Sequence, residues 1–157
     1  MGNGQWAIGN RQWAMGPESF REQWAIEYLF RTNIFFMAAK NVKETTVYKK
    51  AFGLAMEIFE LSKSFPQEEK YSLTDQIRRS SRSVCVCLLE AYRKKIYPAH
   101  FVSKVTDSDM ENSETSGWLD FALACKYIDK LIFDTLIAKN EEVGKLLYHM
   151  IHNPDKY

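Results

Sequence analysis

The chain has 157 residues, 46% of them hydrophobic and 26% charged, with a formal net charge of +1. That length and balance suit a globular chain with a real buried core and exclude a disordered one. The near-zero charge excludes a global field drawing the protein to nucleic acid or membrane, so any such binding must come from a local patch. No stretch reaches the roughly 18 uninterrupted apolar residues of a membrane span. The most apolar run, Ile34 to Ala39, is bracketed by Arg31 and Lys40. Cys85, Cys87 and Cys125 form an odd set in a chain without a secretory signal pattern. A cytoplasmic protein with reduced thiols is the expectation.

Residues 1–41 form a leader whose texture differs from the rest. Gln-Trp-Ala recurs at Gln5, Gln12 and Gln23, with spacings of 7 and 11 residues. These are far shorter than the period of about 20–50 residues of a structural repeat. Two readings stand: a leader translated from a short DNA repeat, with the authentic start at Met37, or a tryptophan-bearing arm that docks on a partner. Glu18 to Lys40 also fits a helix with Phe20, Trp24, Tyr28 and Phe35 on adjoining faces, whose exposed aromatic surface implies docking or aggregation.

The second region, residues 42–157, is helical in pattern throughout. Val47, Ala51, Leu54, Ala55, Ile58 and Leu61 recur at three- and four-residue steps and predict a first amphipathic helix. Phe65-Pro66 stops it, because proline disfavours helix at the preceding residue. Ser72-Leu73-Thr74-Asp75 has the form of a capping box and starts a second helix that runs to about Ile96. Pro98 suits the first position of a third helix, continuing to about Lys126. Asp129 caps a fourth, ending near Asn153-Pro154. Four long helices, short connections and no strand signal predict an all-α fold, an antiparallel up-down-up-down four-helix bundle with the leader as an extra N-terminal segment.

Several segments resemble the bacterial four helix bundle protein family, whose founding members are encoded in intervening sequences of 23S ribosomal RNA genes. The similarity lies in residues 47–52 (VYKKAF), 72–79 (SLTDQIRR), 90–93 (EAYR), 111–115 (ENSET), 118–122 (WLDFA) and 141–147 (EEVGKLL). The resemblance implies a left-handed antiparallel bundle assembled as a ring-shaped homopentamer, with no enzymatic activity and no cofactor. A related bundle is the accessory protein of diversity-generating retroelements, where it partners a reverse transcriptase and RNA. Nucleic-acid binding is therefore also implied. Relatives read Ala-Asn-Ile-Ala-Glu-Gly-Tyr where this chain has Val86-Cys87-Leu88-Leu89-Glu90-Ala91-Tyr92. Any role of that asparagine does not carry over to Cys87.

On a wheel of about 100° per residue, Leu73, Ile77, Val84, Leu88 and Ala91 share one face of the second helix, its core stripe. Arg78, Arg82 and Arg93 fall together on another side, with Arg79, Lys94 and Lys95 nearby. Two readings compete for these six. One is a strip contacting the phosphates of structured RNA, since the guanidinium fork matches phosphate oxygens. The other is a solvated face pairing with Asp75, Glu111 or Glu114. No aromatic residue interleaves with the arginines, which argues against base stacking there. Val86 and Leu89 interrupt the basic row and, with Tyr92, are expected to meet a second subunit or the N-terminal segment.

In the third helix Phe101, Val105, Ser108, Asn112, Thr115, Leu119 and Ala122 alternate steps of four and three. The three polar positions at its centre are expected to face Ser80, Ser81 or Cys87 and to set helix register rather than line a pocket. A metal centre is not expected. Di-iron bundles need Glu-x-x-His on two helices, and although Glu90, Glu111 and Glu114 supply carboxylates, that motif does not occur. His149 and His152 suit a polar helix end, and Cys85 and Cys87 diverge by about 200°. The expected function is a non-enzymatic oligomer binding structured RNA; the alternative is a homo-oligomeric scaffold, accessory to a reverse transcriptase.

Overall fold

The computed structural model describes residues 23, 26–28 and 42–157. The chain divides into two compact units, residues 1–33 and 34–157. Gln23 and residues 26–28 are helical and exposed; the other leader positions, two of the three Gln-Trp-Ala copies and Met37 among them, lie outside the described residues.

Among the described residues the secondary structure is entirely helical, and four helices are long: α1 (Thr46–Leu61), α2 (Leu73–Arg93), α3 (Pro98–Ala124) and α4 (Lys130–His152). Short 3₁₀ turns fill Ser62–Ser64 and Gln67–Glu69 before α2, and Pro154–Lys156 after α4. No helix among the described residues is long and apolar enough to cross a membrane.

Local chemistry sets most of the boundaries. The Thr45 hydroxyl accepts the Tyr48 amide at 3.3 Å, Pro98 occupies the first turn of α3, and Asp129 Oδ1 accepts the Ile132 amide at 2.8 Å. At the end of α3 the amide of Tyr127 reaches back to the Ala122 carbonyl and that of Lys126 to Leu123, both at 2.9 Å. This is the Schellman closure, with Lys126 in the left-handed region at φ 63°. The expected Ser72 cap is corrected. The Ser72 hydroxyl donates to the Glu69 carboxylate instead of accepting an amide, and the Leu73 amide donates to Glu69 Oε2 at 3.2 Å. Tyr127 donates to the other oxygen at 2.9 Å. Hydrogen bonds from Ser72, Tyr127 and Leu73 hold the Glu69 carboxyl below the usual carboxylate range. A longer acid three residues upstream thus caps α2 and ties it to the α3–α4 turn.

The core consists of two apolar clusters. One unites Val47 and Ala51 of α1, Val84, Leu88 and Ala91 of α2, Phe101 and Val105 of α3, and Val143, Leu147 and Met150 of α4. The other unites Leu54 and Ile58, Leu73 and Ile77, Leu119 and Ala122, and Leu136. Each fully buried aliphatic side chain contributes roughly 1.5–3 kcal/mol against about 1 kcal/mol for a cap. Burial in these clusters therefore decides the fold, and the caps decide where helices begin.

Between the clusters lies a buried polar layer made of Ser80 and Ser81, Ser108, Asn112 and Thr115, and Asn140. Ser108 donates to the Val84 carbonyl at 2.9 Å, and the hydroxyls of Thr115 and Ser80 lie 2.9 Å apart. Asn112 and Asn140 exchange bonds, each amide nitrogen donating to the other's backbone carbonyl at 3.1 Å. Both Oδ1 atoms are buried without a partner. All seven expected seam positions of α3 are buried. Asn140, which sequence reasoning missed, completes the layer from α4. A Cβ at Gly144 would sit 3.2 Å from Asn112 Nδ2, so the glycine gives the amide its room.

Candidate nucleic-acid interface

The six basic residues lie on α2 and the turn after it, where they form two groups. Arg78, Arg79 and Arg82 stand in the first half of the helix. Arg93 is its last residue, with Lys94 and Lys95 in the following turn. About 16 Å of helix separates Arg82 from Arg93, at 1.5 Å per residue.

The first group is built on α1. Phe59 lies under both guanidinium groups, 5.1 Å from Arg78 and 5.2 Å from Arg82. Arg78 Nε also donates to Ser62 Oγ at 2.7 Å. Stacking on a ring orients a guanidinium while leaving its edge donors for a phosphate. Phe59 is the residue sequence reasoning missed here, since its position depends on how α1 pairs with α2. Arg79 points the other way, toward Glu114 of α3 at 3.9 Å.

Of the expected carboxylate partners Asp75, Glu111 and Glu114, Glu114 alone forms an ion pair with one of the six basic residues among the described residues. Glu90 and Asp107 both hold Lys104, at 2.7 and 3.1 Å, and their hydrogen bonds keep that ammonium above its ordinary range. Glu114 accepts the Trp118 indole at 3.0 Å. Glu111 has one carboxylate oxygen buried without a partner, and burial, reinforced by Glu114, pushes its carboxyl up. Among the described residues no ion pair neutralises Arg78, Arg82, Arg93 or Lys94. In the second group the Lys95 ammonium lies 5.9 Å from the Tyr92 ring, and partial burial pulls it below its ordinary value.

The three expected interface residues separate. Val86 is 50% exposed, Leu89 is half-buried against the first core cluster, and Tyr92 is only 5% exposed. Tyr92 packs edge-on against Phe101 with ring centroids 5.9 Å apart. Its ring belongs to the first core cluster and offers almost no surface. On α1, Phe52 and Met56 are exposed as well, at 51% and 40%. Phe52 is stacked on Tyr48, and Phe59 shares their stripe at helical spacing. Exposed apolar and basic residues thus alternate across the α1–α2 face.

Cys85 and Cys87 lack the lowered pKa of an activated thiol. Burial pushes the Cys85 thiol up to about 11 and also raises Cys87. Among the described residues no group of three His, Cys, Asp or Glu side chains is placed to hold a metal. His149 Nδ1 lies 2.7 Å from the Tyr157 hydroxyl, and His152 Nδ1 2.8 Å from the Tyr148 carbonyl.

The sequence matches no curated protein. Among solved structures it is similar to a protein of unknown function from the S23 ribosomal protein family of Bacteroides thetaiotaomicron, at 28% identity and a TM-score of 0.63. That match covers 70% of this chain and 98% of the other. Residues 43–149, which carry all four helices but for the last residues of α4, match the family model described as 23S rRNA-intervening sequence protein. With more than half of its length inside that model, the chain belongs to the 23S rRNA-intervening sequence protein family.

Proposed function

We propose that the protein is a non-enzymatic, homo-oligomeric four-helix bundle that binds structured RNA through the basic face of α2. An up-down-up-down course of the helices is supported by the two clusters. Each joins the beginning of one helix to the end of the next in alternation along the chain. Residues 42–157 would form this bundle as a domain separate from the leader.

The observation that carries the RNA reading is the uncompensated charge of Arg78, Arg82, Arg93 and Lys94. Among the described residues two ion pairs link α2 to α3, Arg79 with Glu114 at 3.9 Å and Glu90 with Lys104 at 2.7 Å, and neither engages any of these four residues. Phe59 beneath two guanidinium groups sets them for contacts to a phosphate backbone, the part of a folded RNA helix open to such side chains. Binding of a stem-loop RNA is expected to weaken about 100-fold between roughly 50 and 200 mM salt if four phosphates per subunit are neutralised. A gel-shift series across that range checks it, and absence of binding at low salt would refute the reading.

A second reading is favoured by Phe52, Met56 and Val86, which leave an apolar stripe beside the arginines. On it, the face exists for self-assembly, pentameric in the arrangement the resemblance implies, and for a protein partner such as a reverse transcriptase. Purified oligomer that retains no RNA at any salt concentration would favour this reading.

A further inference from the structure

All three histidines of the chain lie at one end of the helical unit, and each rests against a tyrosine. His100 is in the first turn of α3; His149 and His152 are in the last turns of α4. The first core cluster joins these turns through Phe101, Leu147 and Met150. Tyr97 meets His100 edge-on at 5.7 Å, and Tyr148 stacks on His152 at 3.9 Å with 28° between the planes. Tyr157 follows the C-terminal 3₁₀ turn, which packs on α3. Its ring contacts His149, and it packs on the same core cluster as Tyr92, whose face carries Lys95.

Two rings at this end are open: Tyr97 is 60% exposed and Tyr148 62%. Each is braced by an imidazole, which limits its rotation and leaves most of it to solvent. The turns at this end carry Arg93, Lys94, Lys95 and Lys156 against Asp155, while Lys43 and Glu44 in the 3₁₀ turn before α1 cancel. Exposed flat rings within a basic rim are the pairing that single-stranded nucleic acid requires. Each base offers a face to stack, and the backbone offers phosphates to neutralise. A duplex keeps its base faces covered and gains nothing from the rings.

We propose that this end of the protein binds single-stranded RNA, with bases stacking on Tyr97 and Tyr148 and phosphates held by Arg93, Lys94 and Lys156. It rests on the RNA-binding reading above and adds a second surface with a different strand preference. Arg78 and Arg82 take folded or double-stranded segments, Arg93 and Lys94 are shared between the two surfaces, and the tyrosine end takes an unpaired segment beside them.

The test is fluorescence anisotropy of the full chain with a labelled oligouridine of about 12 nucleotides, an abasic strand of the same length, and an RNA duplex of about 20 base pairs. The wild type is expected to prefer oligouridine over the abasic strand by about tenfold. Tyr97→Ala/Tyr148→Ala should lose about tenfold or more on oligouridine and less than about twofold on the abasic strand and the duplex. Tyr97→Phe/Tyr148→Phe should restore oligouridine binding, since stacking needs the ring and not the hydroxyl. Equal oligouridine affinity in the wild type and the alanine variant overturns the proposal, as does a wild type that does not distinguish bases from abasic sites. Duplex binding without single-strand binding removes this surface and leaves the RNA-binding reading standing. Binding of none of the three probes removes both.

Discussion

Asn140→Ala is expected to destabilise the protein by about 2–3 kcal/mol, a fall in Tm on the order of 10 °C. The substitution removes the amide that donates to the Asn112 carbonyl at 3.1 Å and opens space beside an Asn112 Oδ1 already lacking a partner. A lost buried hydrogen bond accounts for about 1–1.5 kcal/mol and the cavity for the rest. Replacing both residues should behave differently. Asn112→Leu/Asn140→Ala keeps the combined volume close to native while eliminating two amides and two unpartnered oxygens. That variant is expected to regain stability to within about 1 kcal/mol of wild type. Its α3–α4 pairing would no longer have a polar register mark, so poorer near-ultraviolet dichroism should accompany the recovered Tm. Chemical unfolding of the wild type, Asn112→Leu, Asn140→Ala and the double variant measures the coupling as a double-mutant cycle. A single variant within about 0.5 kcal/mol of wild type would show the Asn pair to be inert.

On the proposed homo-oligomeric arrangement, Val86→Glu is expected to dissociate the assembly while leaving each subunit folded. Val86 is half exposed and outside both core clusters, so in an isolated subunit the change should fall within about 0.5 kcal/mol. Buried against a second subunit, an unpaired carboxylate would cost about 3–5 kcal/mol. Arg82, one helical turn away, could pair with it, but such a pair contributes only about 0.3–0.5 kcal/mol. The interface penalty wins. Leu89 is the poorer probe, because it packs on its own core and a charge there would damage the subunit itself. Multi-angle light scattering decides the matter: subunit mass for Val86→Glu against a multiple of it for the wild type. An intact assembly in the variant would move the contact elsewhere, and a monomeric wild type would remove it.

Helix boundaries and core positions were legible where neighbouring residues alone determine them. The seven positions of α3 were recoverable because alternating steps of four and three keep one seam on one side, whether the residue is Phe101 or Asn112. Pro98 and Asp129 act on the amides next to them. Ser72 misled because the competing acceptor, Glu69, reaches the Leu73 amide and the Ser72 hydroxyl from a 3₁₀ turn that the sequence did not announce. Asn140 was detectable: it falls on the α4 stripe of Leu136, Val143, Leu147 and Met150 at the same alternating spacing. The functional surface was less accessible, because its members come from several helices. Which aromatic residue lies under Arg78 depends on how α1 and α2 pair, and the wheel that put Tyr92 beside the basic row does not show Phe101 packing over it. The histidine–tyrosine end joins residues more than 50 positions apart, His100 and His152 among them, by packing alone.

The most direct measurement is the salt dependence of structured-RNA binding by the wild type and by Arg78→Ala/Arg82→Ala/Arg93→Ala. Each lost phosphate contact should reduce the slope of log affinity against log salt by about 0.9, so the triple variant should be shallower by about 2.7 and much weaker at low salt. Unchanged slope and affinity in the variant would contradict the assignment of the α2 face to RNA.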